Sequence, residues 1–131
     1  MLFEDQTCSI WTCRYGAELV LAPHEHRMAV HIAVYRGTEV EVLYKREPGA
    51  LRHGGNTSVP AGKVTSLGPD AIHAITAEGP VQSHAIHVYE GPLTQVERAL
   101  FDWTTGEKVD FTMENFHALA RKKTDMAEFQ S

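Results

Sequence analysis

Short apolar runs, separated by glycine, proline and polar residues, follow one another from Cys8 to about Tyr89. Such runs are typical of β-strands, and no alternation of strands with long helices interrupts them. The pattern therefore predicts an all-β fold, and seven strands are enough for a small sandwich or a closed barrel. The predicted strands lie near Ile10–Arg14, Glu18–Leu21, Ala29–Tyr35, Glu39–Lys45, Gly62–Leu67, His73–Ala77 and Ser83–Tyr89.

The predicted strand Glu39–Lys45 alternates polar and apolar residues, in the order Thr-Glu-Val-Glu-Val-Leu-Tyr from position 38. Alternation of this kind puts one face of a strand in the core and the other in water, as in an antiparallel hairpin after a turn at Arg36-Gly37. The following segment, Pro48–Pro60, contains Gly-Gly-Asn-Thr-Ser and is predicted to be a loop.

The periodicity changes towards the C-terminus, where two segments have helical spacing. These are Thr94–Asp102 and Met113–Lys123, and in the second Phe116, Leu119 and Ala120 lie on one side. We expect one or two helices packed on the exterior of the barrel.

Length and charge restrict the class of protein. The 131 residues fit a single domain, with a barrel over about residues 8–92 and a helical tail over about 93–131. A net charge of −5 does not suit nucleic acid or an anionic membrane as a partner. The chain has no apolar stretch near the ~20 residues that cross a bilayer and no signal-peptide pattern. We expect a cytoplasmic protein with Cys8 and Cys13 as reduced thiols.

Three histidines form the candidate metal site. His24 and His26 alternate along a predicted strand and therefore share one face, and His73 opens another predicted strand. Three imidazoles from two strands of one barrel predict a site for a single divalent ion. Imidazole by itself does not choose among iron, zinc, copper and nickel. By the same alternation His31 and His84 are expected to point out of the barrel.

Two motifs around these histidines resemble those of the cupins, which are double-stranded β-helix (jelly-roll) barrels that hold a metal. They are Pro23-His24-Glu25-His26 followed by Gly37, and Leu67-Gly68-Pro69-Asp70-Ala71-Ile72-His73. Most cupins have a ligating glutamate seven residues before that glycine, and this chain has Val30 there. The resemblance implies a metal held by His24, His26 and His73 without an acidic fourth ligand.

A three-histidine site is similar to that of the thiol dioxygenases, which act on cysteine or 3-mercaptopropionate. The segment His84–Gly91 resembles their Ser-x-His-x-Tyr motif, with His87 and Tyr89 in place and Ala85 at the serine position. This resemblance implies catalytic roles for Tyr89 and His87, Fe(II) as the metal, and Arg98 as the residue that binds the substrate carboxylate.

The resulting hypothesis is a non-heme iron dioxygenase that uses O₂ to oxidise a small thiol to its sulfinate. Two alternatives stay open: a cupin metalloenzyme on another small substrate, such as a diketone-cleaving dioxygenase, and a non-catalytic cupin that binds a small ligand. Zn, Ni, Cu and Mn are the other metals considered. A homodimer that covers an edge strand, with exchange of Cys8–Tyr15 between subunits, is a further hypothesis.

Overall fold

Two antiparallel sheets account for most of the chain in the computed structural model, which describes residues 1–129. Within these residues there is one α-helix, α1 (Met113–Ala118), and short 3-10 turns lie at Leu93–Gln95, Lys123–Asp125 and Ala127–Phe129. The strands are β1 (Phe3–Glu4), β2 (Ser9–Tyr15), β3 (Leu19–Glu25), β4 (Val30–Arg36), β5 (Thr38–Glu47), β6 (Ala50–Pro60), β7 (Val64–Leu67), β8 (Ile72–Glu78), β9 (Ser83–Tyr89), β10 (Ala99–Phe101), β11 (Lys108–Asp110) and β12 (Arg121–Lys122).

The order of the strands brings the histidine motifs together. One sheet has the order β1-β2-β9-β4-β7, and the other has β11-β10-β3-β8-β5-β6, with β12 also paired to β3. Strands β3 and β8 are therefore neighbours, and their register places His24 directly opposite His73. Residues opposite each other in an antiparallel pair have Cβ atoms about 4.5–5.5 Å apart. The strand pairing alone therefore brings His24 and His73, two of the three predicted metal ligands, close together.

The prediction of an all-β fold is confirmed, since each of the seven predicted strands overlaps an observed one. The turn at Gly37 joins β4 to β5 with a φ of 70°. A Cβ atom at Gly37 would lie 2.5 Å from the backbone oxygen of Gln82. Glycine is therefore required there both by the left-handed conformation and by the close approach of a second chain segment.

The prediction of a loop over Pro48–Pro60 is wrong. Strand β6 begins at Ala50 and pairs with β5 along its whole length, so that the two form a long hairpin. Its tip is the Pro48-Gly49 turn, in which Gly49 has a φ of 72°. The glycines inside the segment lie at a bulge, where the register shifts between Leu43 and Tyr44. Glycine and polar residues thus mark an irregularity within a strand here, which the sequence pattern does not distinguish from a loop.

The prediction of a helix over Thr94–Asp102 is also wrong. After the 3-10 turn at Leu93–Gln95 the chain forms β10, which joins β3 on one side and β11 on the other. All three residues of β10 are buried, as is typical of a strand covered on both faces. The second predicted helix, Met113–Lys123, forms only in its first part as α1. The side chain of Thr112 accepts a hydrogen bond from the backbone N–H of Asn115 and so caps its start.

Strand β5 does not have a wet face, contrary to the expectation from its alternation. Its glutamates Glu39 and Glu41 are 0% exposed. Val40 and Val42 on its other face are also buried, in a cluster with Phe101, Trp103 and Met126 of the C-terminal segment. That segment covers the outside of the sheet, and the two carboxyl groups face into the barrel. They are tolerated there because each has a histidine partner.

No helix within residues 1–129 is long and apolar enough to cross a membrane.

Candidate metal centre

His24, His26 and His73 meet inside the barrel and are called here the three-histidine centre. One ring nitrogen from each lies within 4.8 Å of the others. The Nε2 atoms of His26 and His73 are 3.3 Å apart, and the centroids of the three rings are separated by 4.4–4.8 Å. None of the three residues is more than 4% exposed. The three-histidine centre can therefore hold one metal ion.

Hydrogen bonds fix which nitrogen of each ring faces the centre. The Nδ1–H of His24 donates to the backbone oxygen of Ala22 at 2.8 Å. The Nδ1–H of His73 donates to the carboxyl Oε2 of Glu41 at 2.5 Å. Both rings therefore present the lone pair of Nε2 to the centre, and partners of this kind orient histidine ligands in metal sites.

The three imidazoles are neutral at neutral pH. Burial lowers the pKa of His24 to about 4. Burial also lowers the pKa of His26 and of His73, and the neighbouring histidines lower both further. Arg98 contributes in the same direction, because its positive charge lowers the pKa of His24 and of His26. Neutral imidazole is the form that binds a metal.

The donor set fits a divalent transition metal. For metal–nitrogen bonds of about 2.0–2.1 Å, two nitrogens that share one ion lie roughly 3.0–3.4 Å apart, and the 3.3 Å between His26 and His73 agrees with that separation. Val30 stands where most cupins have a glutamate and is fully buried among apolar side chains. Within the described chain no carboxylate joins the group.

Tyr89 and His87 lie beside the three-histidine centre. The ring of Tyr89 is 4.9 Å from that of His26, edge to face, and its hydroxyl is 3.2 Å from Nδ1 of His87. The other nitrogen of His87, Nε2, is 3.1 Å from Oε1 of Glu39. Ala85 lies in the same inward column of β9 and offers no hydroxyl group. Glu39, on the neighbouring sheet, is therefore the outer partner of His87.

Arg98 lies at the edge of the centre, next to a cavity of about 430 Å³. It follows the 3-10 turn and is not on a helix. Its guanidinium carbon lies 3.9 Å from the centroid of the Phe111 ring, and both residues line the cavity. Glu97 and Asp110 line the same cavity, and the charge of Glu25 acts on Arg98.

Two phenyl rings cover the His24 side of the three-histidine centre. Phe111 and Phe116 stack with centroids 5.4 Å apart, and both contact His24 edge to face, at 6.0 and 5.6 Å. Phe116 comes from α1, so this helix forms part of the cover.

No protein-family model and no curated protein sequence matches this chain. Solved structures do resemble it. An uncharacterized conserved protein with a double-stranded β-helix domain from Klebsiella pneumoniae subsp. pneumoniae MGH 78578 is 17% identical, with a TM-score of 0.60 over 76% of this chain and 74% of that one. The fold is a double-stranded β-helix.

Two further solved structures with a similar fold are those of enzymes. A DMSP lyase from Ruegeria pomeroyi DSS-3 is 12% identical, with a TM-score of 0.58 over 73% of this chain. An oxalate oxidase in complex with the substrate analogue glycolate is 16% identical, with a TM-score of 0.51 over 65% of this chain. This chain spans only 44% and 42% of those two proteins. At these identities the likeness shows a common fold.

The sequence reasoning missed Glu39 and Glu41 as parts of the site. Their alternation with valines was correctly identified as a strand pattern but was interpreted as a wet face. The C-terminal segment covers the valine side of β5, so the glutamate side faces the interior of the barrel. The alternation of residues within β5 does not indicate this cover. Of the other histidines, His31 lies outside as expected, half-exposed, and pairs with Glu90 at 2.7 Å.

Proposed function

We propose that this double-stranded β-helix protein is a non-heme iron dioxygenase that oxidises a small thiol carboxylate to its sulfinate. The observation that carries the proposal is the three-histidine centre itself, with neutral imidazoles and with Tyr89 beside it. The names of two structural neighbours, a DMSP lyase and an oxalate oxidase, support an enzyme that acts on small molecules.

The three-histidine centre selects the kind of ligand that enters. Fe(II) held by these residues would supply open coordination positions for a thiolate and for O₂, and the four electrons that reduce O₂ would come from the thiol sulfur as it becomes the sulfinate. His24, His26 and His73 contribute no negative charge, so they leave a divalent cation uncompensated and favour an anionic thiolate next to it. Val30 keeps the position of the missing glutamate apolar and so maintains that preference.

Arg98 and Tyr89 are the two further residues of the proposed site. A guanidinium donates two parallel hydrogen bonds to a carboxylate, and the contact with Phe111 holds that fork at the cavity. The hydroxyl of Tyr89, held by His87, is placed to donate a hydrogen bond to a bound molecule and to manage a proton there.

One observation favours a second candidate. Phe111 and Phe116 cover the three-histidine centre at His24, and none of its histidines lines the cavity beside Arg98. A structural metal in a protein that only binds a small ligand would need no opening. The two candidates differ in turnover and share the metal site.

Oxygen consumption by the iron-loaded protein tests the proposal. 3-Mercaptopropionate, cysteine and cysteamine are each supplied under ¹⁸O₂, and the product is analysed by mass spectrometry. We expect one thiol to gain two labelled oxygen atoms. The variant His73→Ala should be inactive, and the matched variant His31→Ala, at a half-exposed histidine, should remain active. A fully iron-loaded protein that consumes no oxygen with any of the three thiols would contradict the dioxygenase function and leave the binding protein. Less than about 0.1 ion per chain after metal supplementation would contradict both metal-based candidates.

A further inference from the structure

A line of buried hydrogen bonds joins Glu39 to Tyr89 through His87. Glu39 and His87 are both 0% exposed, and Tyr89 is 6% exposed. Glu39 Oε1 contacts Nε2 of His87 at 3.1 Å, and Nδ1 of His87 contacts the Tyr89 hydroxyl at 3.2 Å. Because a carboxylate only accepts hydrogen bonds, Nε2 of His87 must carry a proton in this arrangement.

The protonation of His87 then decides what Tyr89 offers to the three-histidine centre. If His87 is neutral, its Nδ1 accepts the hydroxyl proton of Tyr89, and the phenol presents only lone pairs to the centre. If His87 is an imidazolium, its Nδ1–H donates to the phenol oxygen, and the hydroxyl proton is free to point towards the centre. The same heavy-atom positions therefore allow a hydrogen-bond acceptor or a hydrogen-bond donor next to His26.

The groups around His87 favour the charged form. Burial opposes it, but hydrogen bonds and charges from Cys13 and Glu39 raise the pKa of His87 to about 9. The titratable groups around it are Cys13 and Tyr15 from β2, Glu39 and Glu41 from β5, Tyr89 from its own strand, and His24, His26 and His73 of the three-histidine centre. Strand β4 contributes only apolar side chains, with Ile32 directly opposite.

The two buried carboxyl groups on β5 affect each other's ionisation. Glu39 Oε2 and Glu41 Oε1 have no hydrogen-bond partner within the described residues. Two adjacent buried carboxyl groups do not both ionise. Burial and the neighbouring Glu39 raise the pKa of Glu41. Burial opposes ionisation of Glu39 too, but its interactions with Glu41 and His87 lower the pKa of Glu39. These directions favour the negative charge on Glu39, the carboxyl group that contacts His87.

We propose that Glu39 is a positioning residue that holds His87 as an imidazolium, so that the Tyr89 hydroxyl is a hydrogen-bond donor towards the three-histidine centre. In this arrangement Glu39 accepts the hydrogen bond from His87 that a serine hydroxyl at position 85 would otherwise accept. Unlike a hydroxyl, its carboxylate also carries a negative charge. The role of Tyr89 towards a bound molecule rests on the function proposed above. The ionisation of His87 does not, so the two are tested separately.

The experiment is a pH titration of the histidine ring nitrogens by NMR, on the ¹⁵N-labelled full-length chain with and without Zn(II). The His87 signals are assigned by their loss in His87→Gln. We expect both nitrogens of His87 to be protonated at pH 7, with titration on the alkaline side. In Glu39→Gln the midpoint should fall by about 2 units, since the main ionic partner is removed. Glu90→Gln makes the same exchange at the exposed His31 contact and should leave His87 unchanged.

A neutral His87 at pH 7 in the wild type would overturn the proposal, as would an unchanged midpoint in Glu39→Gln. If that variant does not fold, the wild-type titration decides alone, because a charged His87 supports the proposal and a neutral one overturns it. Failure of thiol oxidation together with a charged His87 would contradict the proposed function and leave the inference about Glu39 in place.

Discussion

Buried histidines at two places in this barrel have opposite protonation. The three-histidine centre is neutral, whereas His87, which is equally buried, is charged. Burial disfavours the imidazolium at both places, so burial does not explain the difference. The partners explain it, because Cys13 and Glu39 raise the pKa of His87, whereas Glu41 beside His73 has a raised pKa of its own. Two glutamates on one strand thus contact one histidine of the metal centre and the histidine beside Tyr89.

Removal of one member of the three-histidine centre should have the largest effect. We expect His73→Ala to weaken Zn(II) binding by more than about 100-fold, because loss even of an outer partner of a metal ligand costs 10–100-fold. His87→Ala should change the Zn(II) affinity by no more than a few-fold, since His87 contacts Glu39 and Tyr89 and is not one of the three histidines that bind the ion. Isothermal titration calorimetry of both variants measures the contrast. Equal losses would mean that the two sites are not distinct.

The stability of the metal-free protein should depend on pH with opposite signs at the two sites. His87 has a folded pKa of about 9 against 6.5 for the ordinary group, so its contribution is complete below pH 6.5 and is lost as the pH rises towards 9. That contribution is at most roughly 3 kcal/mol. His24 has a folded pKa of about 4, so its stabilising effect is present above pH 6.5 and is lost as the pH falls towards 4.

Urea unfolding from pH 4 to pH 10 measures both sides of this profile. In Glu39→Gln the alkaline loss should become much smaller, while the acid loss remains. A profile without alkaline loss in the wild type would contradict the charged state of His87.

Arg98 should act on the three-histidine centre and not on His87. We expect Arg98→Ala to lower kcat/KM for thiol carboxylates by about 10- to 100-fold, through loss of a charge-assisted hydrogen bond. Cysteamine, which has no carboxylate, should react unchanged. In the metal-free Arg98→Ala protein the pKa of His24 and that of His26 should rise, because the positive charge of Arg98 that lowers them is absent. Equal kinetic losses with cysteamine would place Arg98 outside the substrate site.

The cover over the three-histidine centre should give the smallest effect. Phe116→Ala is expected to reduce the free energy of unfolding by about 1–2 kcal/mol, less than a fully buried phenylalanine, because Phe116 is only half-buried. It should also speed release of Zn(II) to a chelator. Met113→Ala, at a 60% exposed position of the same helix, is the matched control. A release rate that Phe116→Ala does not change would show that α1 does not limit access.

The sequence predicted the parts of the molecule that depend on local patterns. The strands from β2 to β5 and from β7 to β9 follow from apolar runs between glycine and proline, and the double-stranded β-helix was implied by the resemblance of the two histidine motifs to those of the cupins. Elements whose structure depends on distant partners were mispredicted. Ala99–Phe101 is a strand only because β3 offers an edge, and the Gly-Gly segment of β6 is a strand only because β5 lies beside it.

The same limit applies to the site. The pattern of β9 indicated that Ala85, His87 and Tyr89 share a face, and the structure places them in one inward column. The partner of His87 lies 48 positions away, on another sheet. No periodicity of the chain connects Glu39 to His87, so their contact became visible only in three dimensions.

The central claim is that three neutral imidazoles bind one ion while a fourth stays charged. A Zn(II) titration of the ¹⁵N-labelled protein at pH 7, followed by NMR of the histidine rings, tests it most directly. We expect the Nε2 signals of His24, His26 and His73 to shift together and to saturate at one equivalent of Zn(II), and we expect His87 to remain an imidazolium. Shifts confined to exposed histidines such as His31, or no saturation at one equivalent, would contradict it.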